Sequence, residues 1–225
     1  MNNERSVGND IVFASSSDRT GMVFRNNFMD KVLTSHEKSM LSEVAEKDTF
    51  FWMIWSAKEA AYKFASRFDP QMKFLPKMHS VEGFHTYRYP LSMSKRLEES
   101  RVSTGLEEFD SVSFFVHTAA NTVTVRCVVI GEFVLGIACS CDADFKNLLW
   151  GIKRIRSERY AVQSKSVREF ARRSIADHLG IDIELIEIEE NLYCAPRISV
   201  LDTDAIWPIS LSHDQFGVCF SVLLE

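Results

Sequence analysis

The stretch from about residue 49 to 67 limits the possible folds of this chain more than any other. It carries Phe50, Phe51, Trp52, Trp55, Tyr62 and Phe64 in a run that reads as one long helix with a wide apolar face. Such a helix belongs in the middle of a core, so the remaining elements are expected to pack around it. At 225 residues the chain can bury one substantial core or two small ones in tandem.

Around that helix the pattern predicts a strand at about 7–13, where Val7, Ile11 and Val12 favour extended backbone, then a loop at 15–18. Phe24, Phe28 and Val32 stand at helical spacing over 24–33, and Thr34-Ser-His-Glu37 reads as a capping box opening a second helix to about Ala45. Residues 70–110 read as irregular, with Pro76, Pro90 and a charged run at 95–101 that is helical or loose. Three strands follow, at 111–118, 122–130 and 132–140, with turns at 119–121 and 131–132. Helices are predicted at 143–156 and 165–179, the latter ended by Gly180, and strands at 182–189, 197–201, 207–212 and 217–224. With no internal repeat, low-complexity tract or clear linker, the chain reads as one α+β domain over 1–225, an antiparallel sheet with packed helices.

Several classes of function are disfavoured. The longest apolar stretch, Cys127 to Cys139, is broken by Gly131 and Glu132 and is too short to span a bilayer. The first residues lack the basic-then-apolar layout of a secretory signal, so the expected location is cytoplasmic, away from membranes. Cysteines 127, 139, 141, 194 and 219 include one CxC pair but no second pair to complete a zinc site; they read as small buried hydrophobes. A net charge of −5 argues against general nucleic-acid affinity. Residues 151–180 nevertheless hold eight Lys/Arg against three acids, a local +5 that leaves −10 on the rest. That segment is either a solvated helix face or a dock for an acidic partner.

The chemistry is carried by three short segments: Val-Gly-Asn-Asp-Ile-Val at 7–12, Trp-Ser-Ala-Lys-Glu-Ala-Ala-Tyr-Lys at 55–63 and Ile-Ser-Leu-Ser-His-Asp at 209–214. Glu59 and Lys63 share a helix face, which by itself suits a surface ion pair. Asp10, in an otherwise apolar strand, must be solvated, paired or metal-bound. Two carboxylates suffice for magnesium, which fills its remaining positions with water and phosphate oxygens. His213, near a strand end, is either exposed or a donor to a phosphate. No glycine-rich phosphate loop, nucleophile elbow or HExxH motif occurs.

Together and in this order, the segments resemble the 4′-phosphopantetheinyl transferases. The first is similar to the family's magnesium-binding motif, the second matches WxxKExxxK, and the last matches its histidine motif. Residues 28–34 with Glu37 look like the stretch between motifs, and Leu192-Tyr-Cys-Ala-Pro-Arg197 resembles the family's segment ending in a Pro before a strand, with Cys-Ala in place of the common glycine. The resemblance implies Asp10 and Glu59 as magnesium ligands, Lys58 and Lys63 as coenzyme A phosphate contacts, and Ser212 and His213 at the nucleotide end of coenzyme A. Glu59 and Lys63 are its two candidates for the catalytic base. The implied reaction moves phosphopantetheine to a serine of an acidic acyl or peptidyl carrier protein of fatty acid or polyketide synthesis, releasing 3′,5′-ADP.

The motif order is similar to that of the small holo-acyl-carrier-protein synthases. Val12 stands where the larger members carry a third carboxylate, Phe13 stands where an acid is usual, and about 68–180 reads as an insert without a counterpart. A member that lacks activity and serves as a docking module, or an unrelated module that binds acidic surfaces, are the alternatives. The length favours a pseudo-twofold monomer, one chain supplying both halves of the site, over a trimer.

Overall fold

The computed structural model describes residues 5–15, 27–86, 97, 99–141, 144–189 and 195–224. Eleven strands and five α-helices are present among them: β1 (Val7–Phe13), α1 (Phe28–Val32), α2 (Ser35–Glu43), α3 (Lys47–Ala65), β2 (Ser80–Thr86), β3 (Ser100–Thr104), β4 (Ser111–His117), β5 (Thr122–Ile130), β6 (Phe133–Cys139), α4 (Asp144–Asn147), β7 (Leu148–Arg154), α5 (Tyr160–Leu179), β8 (Ile186–Glu189), β9 (Arg197–Val200), β10 (Ile206–Asp214) and β11 (Gly217–Leu223). The strands form two antiparallel sheets, ordered β1-β6-β5-β4-β2 and β3-β7-β11-β10-β9-β8. The α+β class with antiparallel sheet and packed helices is as expected.

The aromatic helix is central. Phe50, Phe51, Met53, Ile54, Ala57, Ala60 and Ala61 of α3 are buried against Val112, Phe114, Val116, Val123 and Val125 of the first sheet. A Cβ at Gly8 of β1 would stand 2.1 Å from the Ala60 carbonyl, and one at Gly136 of β6 2.9 Å from Ser56 backbone. Only glycine lets helix and sheet come this close.

A second core lies between the sheets, where Ile11, Phe13, Phe133, Leu135 and Ile137 meet Leu148, Trp150, Ile152 and Cys219. A third lies beyond, where Val167, Phe170, Ala171 and Ile175 of α5 cover Ile198, Ile209, Phe220 and Val222. The layers thus run α3, first sheet, second sheet, α5.

Each half begins with a strand, follows it with its long helix, and returns through four strands. The order β7-β11-β10-β9-β8 repeats β1-β6-β5-β4-β2, with α5 in the place of α3.

Several expectations change. The helix predicted at 143–156 is a single turn, α4, followed by strand β7. Leu148, Leu149, Trp150, Gly151 and Ile152 are all buried, because β7 is covered on both faces, so no period-2 alternation marks it as a strand. The irregular reading of 70–110 misses β2 and β3, which are largely polar in sequence. The part of the charged run at 100–101 lies in β3. The helix expected at 24–33 is seen as α1 alone; residues 24–26 fall outside the described residues, as does most of the loop expected at 15–18. The strand expected at 182–189 opens with a 3-10 turn at Ile183–Leu185 before β8. The helix expected at 165–179 begins earlier, at Tyr160, and ends where Gly180 takes up φ 68°.

Candidate active site at the junction of the two halves

β1 alternates its side chains between two cores. Val7, Asn9, Ile11 and Phe13 turn to the second sheet, and Asp10 and Val12 turn to α3. Asn9 fixes the strand: its N–H donates to Ser210 Oγ at 2.8 Å and its side-chain amide to Ser221 Oγ at 3.1 Å. On the other face, Ser56 of α3 donates to the Asp10 carbonyl at 3.1 Å. The Asp10 carboxylate is thereby delivered to the α3 surface one residue from where β1 is pinned.

There it meets Lys63 and Glu59. Lys63 Nζ lies 3.2 Å from Asp10 Oδ1 and 3.4 Å from Glu59 Oε1. Asp10 is 5% exposed, and its Oδ2 has no hydrogen-bond partner. Burial, helped by the negative charges of Glu59 and Asp214, pushes the Asp10 pKa up to about 8, against the pull of Lys63. Burial would lower the pKa of Lys63, yet the two carboxylates outweigh it and raise that pKa, so its ammonium stays charged.

From the second half come His213 and Asp214, at the end of β10. Asp214 Oδ2 accepts from the Phe13 N–H at 2.7 Å, tying the end of β1 to the end of β10. The His213 ring meets Tyr160 of α5 edge-on at 5.0 Å; burial and then the Lys63 charge lower its pKa. A pocket of about 270 Å³ opens here, lined by Asp10, Val12, Glu59, His213, Asp214 and an aromatic wall of Phe28, Trp52 and Trp55.

Four of the expected residues, Asp10, Glu59, Lys63 and His213, therefore converge, although Asp10 and His213 stand 203 positions apart in the sequence. Two do not join them. Lys58 is 0% exposed, and its ammonium donates to the Val32 carbonyl, Glu37 Oε2 and the Pro76 carbonyl at 2.8, 2.7 and 3.0 Å. An ammonium has three donors, so none remains for a ligand. Ser212 is buried opposite Cys219 and does not line the pocket. Phe13 turns away from the pocket into the inter-sheet core, 5.2 Å from Phe133 and 5.8 Å from Phe216. Asp214 was not anticipated; the signal was its place directly after His213.

Among the described residues no three of His, Cys, Asp and Glu come together closely enough to hold a metal by themselves. The Asp10 and Glu59 carboxylates fit a divalent cation of the kind held by one or two carboxylates and otherwise by water and phosphate, and the bare, buried Asp10 Oδ2 is an oxygen that such an ion would satisfy.

The family model of the 4′-phosphopantetheinyl transferase superfamily matches residues 6–119, half of the chain. The chain belongs to this superfamily. No curated protein matches it significantly. As a superfamily member it is a transferase, of a family that transfers phosphopantetheine, takes coenzyme A as substrate, usually employs a divalent metal and acts on carrier proteins. The match covers β1, α3 and the strands through β4, and takes in residues 68–119 of the stretch that the motifs alone leave unaligned. No helix among the described residues is long and apolar enough to cross a membrane.

Proposed function

We propose that this chain transfers the 4′-phosphopantetheine group of coenzyme A to a serine of an acyl or peptidyl carrier protein, with Mg²⁺, releasing 3′,5′-ADP. The observation that carries this reading is the Asp10 carboxylate, buried with one bare oxygen, lining the junction pocket with Glu59 and ion-paired to Lys63. Asp10 and Glu59 would hold the ion, which supplies neutralisation of the pyrophosphate and of the leaving phosphate.

The chain's own residues divide the remaining work. Lys63, kept charged by its two carboxylate neighbours, serves as a fixed cation against the phosphates and is unsuited to take a proton. Glu59 is then the group that accepts the serine proton. The serine Oγ bonds to the β-phosphorus, the bond from that phosphorus to the bridging oxygen breaks, and the electron pair leaves with 3′,5′-ADP. His213, at the rim on the β10 side, donates to a phosphate of the nucleotide end. The acidic character of the carrier is supported by the basic excess of residues 151–180, although three of the four Lys/Arg of α5 are already engaged. Arg173 pairs with Glu169 at 2.9 Å, Arg172 donates to the Ile186 and Ile183 carbonyls, and Arg168 donates to Ser164.

The test is mass spectrometry of several apo carrier proteins incubated with the chain, coenzyme A and magnesium. The expected result is a gain of one phosphopantetheine on the carrier. Asp10→Asn should slow the transfer by at least about 100-fold, the scale of losing a metal ligand at a charged transition state. The same substitution should leave the melting temperature unchanged or higher, since it replaces a carboxyl that burial makes costly to ionise with a neutral amide. Transfer at the wild-type rate by Asp10→Asn removes Asp10 from the site; no modification of any carrier overturns the activity.

A further inference from the structure

We propose that Lys58 is a positioning residue that holds the short helix α1, and with it the Phe28 wall of the pocket, against α3. The inference rests on the pocket being the coenzyme A site, and it departs from the phosphate-binding role that the family resemblance implies for this lysine.

The geometry is a closed network. The Lys58 ammonium joins the last residue of α1 through the Val32 carbonyl, the first turn of α2 through Glu37, and the 3-10 turn ahead of β2 through the Pro76 carbonyl. Glu37 is itself 0% exposed and extends the network. Its Oε2 also accepts from the Thr34 N–H at 2.8 Å, completing the capping box, and its Oε1 accepts from the Val81 N–H at 2.7 Å at the start of β2. One ion pair thus gathers α1, α2, β2 and α3.

The consequence for the site runs through α1. Five residues are too few for a helix to persist without tertiary support. It is held to α3 by the Lys58 bond to Val32 at one end and the packing of Phe28 at the other, with Val32 and Met29 in the core beside α3. The Phe28 ring centroid lies 5.7, 6.3 and 6.0 Å from those of Phe51, Trp52 and Trp55. Phe28, Trp52 and Trp55 form the apolar side of the pocket that faces Asp10 and Glu59. Lys58 also sits one residue before Glu59 on the same helix. An ordered wall there suits the uncharged pantetheine arm, which presents amide and methyl surface.

The test pairs Lys58→Met with Glu37→Gln in the full chain. Lys58→Met alone leaves Glu37 buried and unpaired, so it is expected to melt lower. The double variant removes both charges and should regain most of that loss. A role confined to stability would then return activity as well. A positioning role keeps the coenzyme A KM about tenfold high in the double variant, with kcat within about twofold of wild type. Amide exchange reads the same point without any activity: the Lys31 and Leu33 amides should exchange about tenfold faster than in wild type, while those of residues 54–64 keep their protection. Phe28→Leu, with Lys58 intact, should reproduce the KM rise alone.

Unchanged exchange of α1 in the folded double variant overturns the inference. Should the double variant fail to fold, wild-type exchange decides. The Leu33, Thr34 and Val81 amides should open together, within about threefold of one another, because one hub holds them. A Leu33 amide exchanging about 100-fold faster than Val81 contradicts the hub. If the wild-type chain binds no coenzyme A, the proposed function fails, whereas the exchange result still decides the role of Lys58.

Discussion

His79 is 2% exposed, at the end of the 3-10 turn ahead of β2, stacked on Phe74 at 5.7 Å and met edge-on by Tyr62 at 5.9 Å. Burial is the main reason its pKa is lowered; a backbone contact at Lys73 pulls the other way, and the Lys58 charge adds to the drop. A histidine whose folded pKa lies below its unfolded value of about 6.5 takes up fewer protons when folded, so stability rises with pH between the two values. The stabilisation is fully present above about pH 6.5 and is lost as pH falls toward the depressed folded value. Thermal melts from pH 7.5 down to 5 should therefore show a steep fall in wild type and a shallower one in His79→Phe, which keeps the aromatic slot filled. His213 is shifted in the same direction, so some slope survives in the variant. Equal slopes would show that His79 takes up its proton as readily in the folded chain as in the unfolded one. The same logic separates the residues of the site. Asp10 is costly to ionise without a cation, whereas Lys58 is costly to bury but fully bonded, and only the first has an atom to spare for a ligand.

Among the elements, β1 and α3 depend on each other most. Gly8→Ala would drive a methyl group to within 2.1 Å of the Ala60 carbonyl and 2.6 Å of the Phe64 amide nitrogen, both rigid helix backbone. The expected cost is about 3 kcal/mol or more, since neither the strand nor the helix can give way without leaving a core. A urea titration checks it, and a midpoint equal to wild type would contradict the close approach. The glycine in Val-Gly-Asn-Asp was readable as part of a motif, but its reason lies in a helix some fifty residues away. This is the general division between what the sequence shows here and what it hides. Local signals were legible: the Thr34–Glu37 capping box is present with both of its bonds, the aromatic run is α3 within two residues of its predicted ends, and β4 to β6 lie where the alternating runs put them. Signals that depend on what covers an element were not. β7 is apolar on both sides because two cores sandwich it, and so it read as helix. Lys58 read as a phosphate contact and Glu37 only as half of a capping box, and that the two pair in a closed network shows only once three chain segments close over them; Asp214 likewise acquires its role only when β10 is laid beside β1.

At the scale of the whole molecule, the pocket needs both halves. Asp10 and Glu59, with Lys63 paired to both, come from β1 and α3, and His213 and Asp214 from β10. The halves are bolted together beside the site by Arg67, just past α3. Its guanidinium donates to the Val7 carbonyl of the first half and to the Pro196 and Ile209 carbonyls of the second. Between the sheets, Gly217 lets Phe133 and Ile11 approach to distances that a side chain there would forbid. The matching strand orders of the two halves support the pseudo-twofold reading, in which the second half takes the position that a neighbouring subunit would hold in a one-copy arrangement. On the proposed reading, a chain that carries both faces of its own junction would complete the site without a partner. Light scattering at micromolar concentration should accordingly give the mass of one chain, 25.8 kDa, with or without coenzyme A and magnesium. A trimer would weigh three times 25.8 kDa, about 77 kDa, and finding it would mean that the junction within the chain is insufficient. Arg67→Met sharpens the comparison. It removes three bonds across the junction and should lower both the melting temperature and coenzyme A affinity while the chain remains a monomer, since the bonds lost are internal to it.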